Sequence, residues 1–209
     1  MSQFIIIDYS VSNLSSVKNA MVYLNCDVKI SNAIKDIEQA SALILPGVGA
    51  FGEGMSNLRN LELIDVLNKA VLKDKKPILG ICLGFQLFAR SSSEMGLNKG
   101  LGWIDADVTE LKVTNDLRLP HIGWNTISVV DDSPLLKDIP DPNFYFVHSF
   151  AMHDRPENTK VSTCRYGSDF IATIHKENIL GTQFHPEKSH ASGLTVLRNF
   201  IRFVEEYHA

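Results

Sequence analysis

Pro77-Ile78-Leu79-Gly80-Ile81-Cys82-Leu83-Gly84-Phe85-Gln86 joins two kinds of segment with no linker between them. Residues 77–81 form a short, continuously apolar run, as in a strand buried on both faces. Leu83 to Arg90 reads as a helix. Gly80 and Gly84 stand two residues before and two after Cys82, and that spacing permits a tight strand-to-helix turn. Such a turn lifts the Cys82 side chain above a sheet. It also aims the first helical amides at the sulfur, which favours thiolate and offers the Leu83 N–H to an oxyanion. The competing reading is a buried structural cysteine.

The alternation extends in both directions. Phe4-Ile5-Ile6-Ile7 is a second buried strand, ending at Asp8. Asn13 can cap a helix whose apolar stripe is Leu14, Val17, Met21 and Leu24. Residues 27–31 alternate like a strand, and Ala42-Leu43-Ile44-Leu45 is another strand, stopped by Pro46-Gly47. Leu58, Leu61, Ile64, Leu67 and Val71 predict one helix over 57–72. Beyond residue 100 the segments 104–112, 125–130, 143–148, 160–166, 169–175 and 178–184 suit strands, some pairing antiparallel. Leu194, Leu197, Ile201 and Val204 mark a closing helix. The expected fold is α/β and three-layered: a mixed, mostly parallel central sheet flanked by helices, in one domain over 1–209.

Composition narrows the function classes. The 209 residues are 44% hydrophobic and 21% charged, an ordinary globular mixture. Twenty basic against 24 acidic side chains leave a net charge of −4, which argues against a nucleic-acid binder. No apolar run approaches the ~20 residues of a membrane span, and the N-terminus shows no leader signature. Cys26, Cys82 and Cys164 form no close pair, which disfavours a secreted disulfide framework. A soluble, cytoplasmic, single-domain protein is expected.

A nucleophilic cysteine needs a base. His185 ends an apolar strand and precedes Pro186-Glu187. In extended chain, residues two apart point the same way, so Glu187 can hold one imidazole nitrogen while the other faces a thiol. An exposed His and Glu at a strand end is the plainer alternative. A metal site is weaker, because no second His or Cys stands at ligand spacing. Leu45-Pro46-Gly47-Val48-Gly49-Ala50-Phe51-Gly52 can present bare N–H groups to an anion. It fits neither the Walker nor the dinucleotide pattern.

Together these pieces resemble class I glutamine amidotransferases. Gly80-Ile-Cys82-Leu-Gly84-Phe-Gln86 is similar to that family's nucleophile motif, and Gln183-Phe-His185-Pro-Glu187-Lys188-Ser189 to its closing motif. Pro46-Gly-Val-Gly-Ala-Phe-Gly52, Leu119-Pro-His-Ile-Gly-Trp-Asn125 and Tyr145-Phe-Val-His-Ser149 narrow the likeness to the glutaminase subunits of imidazole glycerol phosphate synthase. It runs from residue 4 to residue 203.

The resemblance implies a Cys82–His185–Glu187 triad hydrolysing L-glutamine to glutamate and ammonia, an enzyme expected to need no metal or organic cofactor. It implies that Leu83 and the Val48-Gly49 peptide hold the oxyanion, after a rearrangement of the Gly47–Gly49 turn. Gln86, Gly49, His148, Ser149 and Phe150 would contact glutamine; for the His148 ring, an ordinary strand-end role stands beside this. Ammonia is useful only unprotonated, so it must pass through a closed route to a partner. That partner is implied to be a (β/α)8-barrel cyclase forming a heterodimer and making imidazole glycerol phosphate and aminoimidazole carboxamide ribotide. Asn13, Trp124 and Lys188 match positions near that interface, although Trp124 would equally suit a core. Residues 8–13, Asp-Tyr-Ser-Val-Ser-Asn, depart from the family's Asp-Tyr-Gly-x-Gly-Asn at Ser10 and Ser12. This leaves open a paralogue serving surface-sugar amidination. A non-catalytic scaffold of the same fold is disfavoured because every triad residue is present.

Overall fold

The computed structural model describes residues 3–113 and 116–207; Met1 and Ser2, on which the leader expectation bears, lie outside the described residues. Strands and helices alternate through β1 (Phe4–Ile7), α1 (Leu14–Tyr23), β2 (Val28–Ser31), α2 (Ile34–Gln39), β3 (Ala42–Leu45), α3 (Phe51–Asn60), α4 (Leu63–Asn68), β4 (Ile78–Ile81) and α5 (Leu83–Gln86). There follow β5 (Ser91–Ser92), β6 (Asn98–Lys99), β7 (Asp107–Glu110), β8 (His121–Val129), β9 (Asn143–His148) and β10 (Phe150–Met152). The chain closes with β11 (Lys160–Tyr166), β12 (Ser168–Lys176), β13 (Ile179–Thr182) and α6 (His190–Tyr207).

Nine strands form the central sheet in the order β2-β1-β3-β4-β13-β12-β11-β8-β9. Pairings from β2 to β13 are parallel, and those from β13 to β9 are antiparallel. A second sheet, β10-β7-β5-β6, packs beside it. Because side chains alternate along a strand, β1 feeds two cores. Ile5 and Ile7 pack with α3, α4 and α5 residues such as Leu58, Leu67 and Phe85. Phe4 and Ile6 pack on the other face with Val17 and Met21 of α1 and Leu197 and Phe200 of α6. This is the expected three-layer α/β arrangement with a mixed sheet, although four of its eight strand pairings are antiparallel, so the sheet is evenly mixed rather than mostly parallel. Among the described residues no helix is long and apolar enough to cross a membrane.

Several local expectations need correction. The helix expected over 57–72 is broken, because α3 begins earlier, at Phe51, and Glu62 takes a left-handed backbone (φ 56°) before α4. α4 then widens into a π-helical turn at Lys69–Lys73. The regular helix after Cys82, expected to reach Arg90, ends at Gln86. Asn13 caps α1 by position, but with φ 82° its side chain makes no bond to the helix. Among the strands, 104–112 shrinks to β7, while 125–130 grows backward to His121.

The parallel half positions the chemistry. Ile81 of β4 lies opposite Thr182 of β13, and Leu45 of β3 opposite Gly80. Cys82, His185 and the Pro46–Gly52 turn therefore all emerge at the carboxyl edge of three adjacent strands. That edge is where open α/β sheets bind ligands.

Candidate active site

Cys82 sits on the turn with φ 52° and ψ −109°, a conformation that L residues rarely adopt. Its N–H donates to the Thr182 carbonyl at 2.8 Å, which ties the turn to β13. The flanking glycines are there for space. A Cβ on Gly84 would fall 1.7 Å from the Leu45 carbonyl oxygen, and one on Gly80 2.7 Å from the Phe85 Cα. The sulfur is nearly buried but lines a cavity of about 240 Å³.

His185 is fully buried, and its Nδ1 is 2.7 Å from Glu187 Oε1. The contact expected between these two is present, but not through extended chain. Pro186–Lys188 forms a single 3-10 turn that folds Glu187 back onto the ring. The main chain here is anchored by the His185 N–H to the Tyr145 carbonyl (3.0 Å) and by Ser189 Oγ to the His185 carbonyl (2.7 Å). His185 Nε2 has no hydrogen-bond partner of its own, and Cys82 lies close enough to interact with the ring's charge. Burial opposes that charge. The Cys82 and Glu187 charges, with the Glu187 hydrogen bond, outweigh it and hold the imidazolium up to a pKa of about 10. Cys26 and Cys164, by contrast, are pushed up to about 12, mainly by burial.

The cavity is lined by Val48, Gly49, Leu83, Gln86, His148, Ser149 and Phe150, all anticipated as oxyanion or substrate residues. Their polar atoms are not all free. The Leu83 N–H donates to the Gly47 carbonyl at 3.3 Å, so this oxyanion donor is occupied as the turn stands. Tyr9, buried beneath, donates to the Pro46 carbonyl at 2.6 Å and packs where a Gly47 side chain would go. Both nitrogens of the His148 ring are committed, to the Phe150 carbonyl (3.0 Å) and to His121 Nδ1 (3.2 Å). The ring therefore offers a ligand no free polar atom. Burial lowers the His148 pKa to about 3 and that of His121 to about 4, so both stay neutral.

Gln86 spends both amide protons inside the protein, on the Phe150 carbonyl (2.7 Å) and on Gln183 Oε1 (3.1 Å). Its carbonyl oxygen is what remains for a ligand. Glu94 also lines the cavity, and its Oε2 accepts the Phe51 N–H at 2.7 Å. Sequence reasoning missed Glu94, which lies in an irregular turn with no periodicity to mark it and reaches the site only through β5 and β6.

The three residues expected at an interface lie around the outside of Glu187. Asn13 Nδ2 donates to Glu187 Oε1 at 2.5 Å, so Asn13 belongs to the surroundings of the His185–Glu187 pair as well as to the surface. Trp124 is 45% exposed and stacks on His190 with ring centroids 4.8 Å apart, which settles the core alternative against it. Lys188 is exposed, with Nζ 5.9 Å above the Tyr145 ring. Of the two departing serines, Ser10 holds the left-handed backbone (φ 62°) that glycine would favour, at a cost of about 1–2 kcal/mol; Ser12 does not. Among the described residues, no group of three or more His, Cys, Asp or Glu is placed to hold a metal.

Residues 5–203 match the family model for glutamine amidotransferase class-I. The chain is 43% identical to the "Imidazole glycerol phosphate synthase subunit HisH 2" of Pseudomonas aeruginosa, over 96% of this chain and 99% of that one. It is 43% identical to a protein of the same name from Methanococcus maripaludis, over 94% and 98%. The solved structure of a glutamine amidotransferase from Thermotoga maritima shares the fold, with a TM-score of 0.66 at 18% identity, covering 99% of this chain and 85% of the other.

Proposed function

This chain belongs to the class I glutamine amidotransferase family, and from that premise we propose that it is the glutaminase subunit of a cytoplasmic imidazole glycerol phosphate synthase, serving histidine biosynthesis. The observation that carries the chemistry is the Cys82 turn beside the buried His185–Glu187 pair, at the wall of an amino-acid-sized cavity. The full-length similarity to proteins named as HisH subunits supports the pathway.

L-Glutamine enters with its side-chain amide toward Cys82. The Gln86 carbonyl oxygen and the Glu94 carboxylate suit its α-ammonium, while Gly49 and Ser149 suit its α-carboxylate. The thiolate attacks the amide carbon, and the oxyanion that forms needs N–H donors. Leu83 supplies one only when the Gly47 carbonyl releases it, so the Gly47–Val48 peptide must turn away, and the Val48-Gly49 peptide must turn its N–H toward the oxyanion; Gly47 and Gly49, the latter at φ 124°, have the freedom to allow this. The His185 imidazolium protonates the departing nitrogen, leaving ammonia and a γ-glutamyl thioester. The now neutral ring takes a proton from water, which cleaves the thioester to glutamate. Glu187 keeps the ring's tautomer throughout.

The ammonia passes to a (β/α)8-barrel cyclase bound in a heterodimer. The exposed face formed by α1, Lys188, His190 and Trp124 lies directly behind Glu187 and is the proposed docking side. Glutamate release, measured with and without the cyclase subunit and its nucleotide ligand, tests the whole reading. Strong stimulation is expected, and it should vanish in Cys82→Ala. Activity that the cyclase does not raise would favour the surface-sugar paralogue to which Ser10 and Ser12 point. No glutamate under either condition would overturn the glutaminase.

A further inference from the structure

The triad chemistry leaves one buried amide at the nucleophile unused. Gln183 is fully buried, lies two residues before His185, and sets its Nε2 3.7 Å from Cys82 Sγ. An amide's oxygen and nitrogen are nearly the same shape, so its direction must follow from its neighbours. Here the network decides. The Phe150 carbonyl can only accept, and it faces the Gln86 amide nitrogen at 2.7 Å. The second proton of that nitrogen needs an acceptor, and Gln183 Oε1 stands 3.1 Å away. With its oxygen so committed, Gln183 must turn its N–H toward the sulfur. Reversed, it would set two amide nitrogens against each other and a carbonyl against the thiolate.

Apart from the His185 imidazolium, which also favours the thiolate, the sulfur's other polar neighbour among the described residues is the Val147 carbonyl, at 3.9 Å. A carbonyl can accept from the thiol but repels the thiolate. The two neighbours thus favour opposite protonation states, and the N–H donor is the one suited to the reactive form.

We propose that Gln183 is a catalytic residue: its amide N–H donates to the Cys82 sulfur, holding the thiolate before attack and receiving it again when the thioester is hydrolysed. Gln86 orients that amide by way of the Phe150 carbonyl, so a wall of the cavity is wired to the nucleophile. The proposal rests on Cys82 being the nucleophile, but its test needs neither glutamine nor the cyclase.

The rate of Cys82 alkylation by iodoacetamide is followed by peptide mass spectrometry across pH, in the full chain. Gln183→Met keeps length and bulk while removing the donor. It should slow alkylation at pH 7 by about 10-fold and move the profile about one unit higher, as expected on loss of a hydrogen bond to a charged group. Gln183→Glu, which matches the amide in shape but turns only acceptors toward the sulfur, should slow it at least as much. Should Gln183→Met fail to fold, as judged by near-UV circular dichroism, the Glu variant gives the same reading. Gln86→Met should produce a smaller shift in the same direction, and none beyond that of Gln183→Met in the double variant. Wild-type profiles in both Gln183 variants would overturn the proposal, and additive shifts in the double variant would overturn the role of Gln86. A wild-type Cys82 no more reactive than Cys26 and Cys164 would instead remove the nucleophile itself.

Discussion

At the scale of single residues, the site is a balance between burial and charge around His185. Burial alone would strip the imidazole of its proton, yet Cys82 and Glu187 raise its pKa to about 10. The sign follows. A histidine raised above its unfolded value contributes stability fully below pH ~6.5, and that contribution fades as pH rises through about 10. In the proposed mechanism the same proton goes to the leaving nitrogen, so kcat/KM should fall on the alkaline side near that value. Glu187→Gln removes one of the charges that hold the proton. It should move the alkaline limb to lower pH and reduce turnover, by about one to two orders of magnitude less than loss of Cys82 or His185. An unmoved limb in the pH–rate profile would show that Glu187 does not set the proton's affinity. The Asn13 donor on the same carboxylate oxygen was not visible from sequence. Its 174-residue separation from Glu187 is closed only by packing of α1 against the turn after β13.

At the scale of elements, the strand-to-helix turn is held open by absent side chains. A Cβ on Gly84 would meet the Leu45 backbone oxygen, which cannot move without dragging β3. Gly84→Ala should therefore destabilise by about 3 kcal/mol or more in urea denaturation and abolish glutaminase activity. Gly54→Ala is the control: its Cβ would meet only flexible leucine ends at 3.3–3.4 Å, and little change is expected. This turn was legible in sequence because glycine spacing and an apolar run are local signals. The break between α3 and α4 was not. Leu58, Leu61, Ile64, Leu67 and Val71 keep helical spacing across it, and nothing local announces the left-handed Glu62. The minor sheet was hidden for a similar reason, since two-residue strands such as β5 and β6 carry no period to detect.

At the scale of the whole molecule, the sheet gathers the chemistry on one edge and leaves a second, exposed face behind Glu187. Trp124, stacked on His190 and 45% exposed, shares that face with the exposed Tyr23 of α1 and is a natural anchor for a partner. Trp124→Ala should weaken cyclase binding by about 10- to 100-fold in a titration, as for a central aromatic anchor. Unchanged affinity would move the docking side elsewhere.

The sequence by itself determined the α/β class, the strained strand-to-helix turn at Cys82 and the pairing of His185 with Glu187. These depend on short-range patterns: apolar runs, glycine spacing, and residues two apart. Only the tertiary structure decided which donors are free. The Leu83 N–H bound to Gly47, the His148 ring spent on His121 and Phe150, and the Gln183 amide turned toward sulfur are all contacts between distant segments. A hydrogen-bonding group can be read from sequence, but whether it remains available depends on what the fold brings beside it.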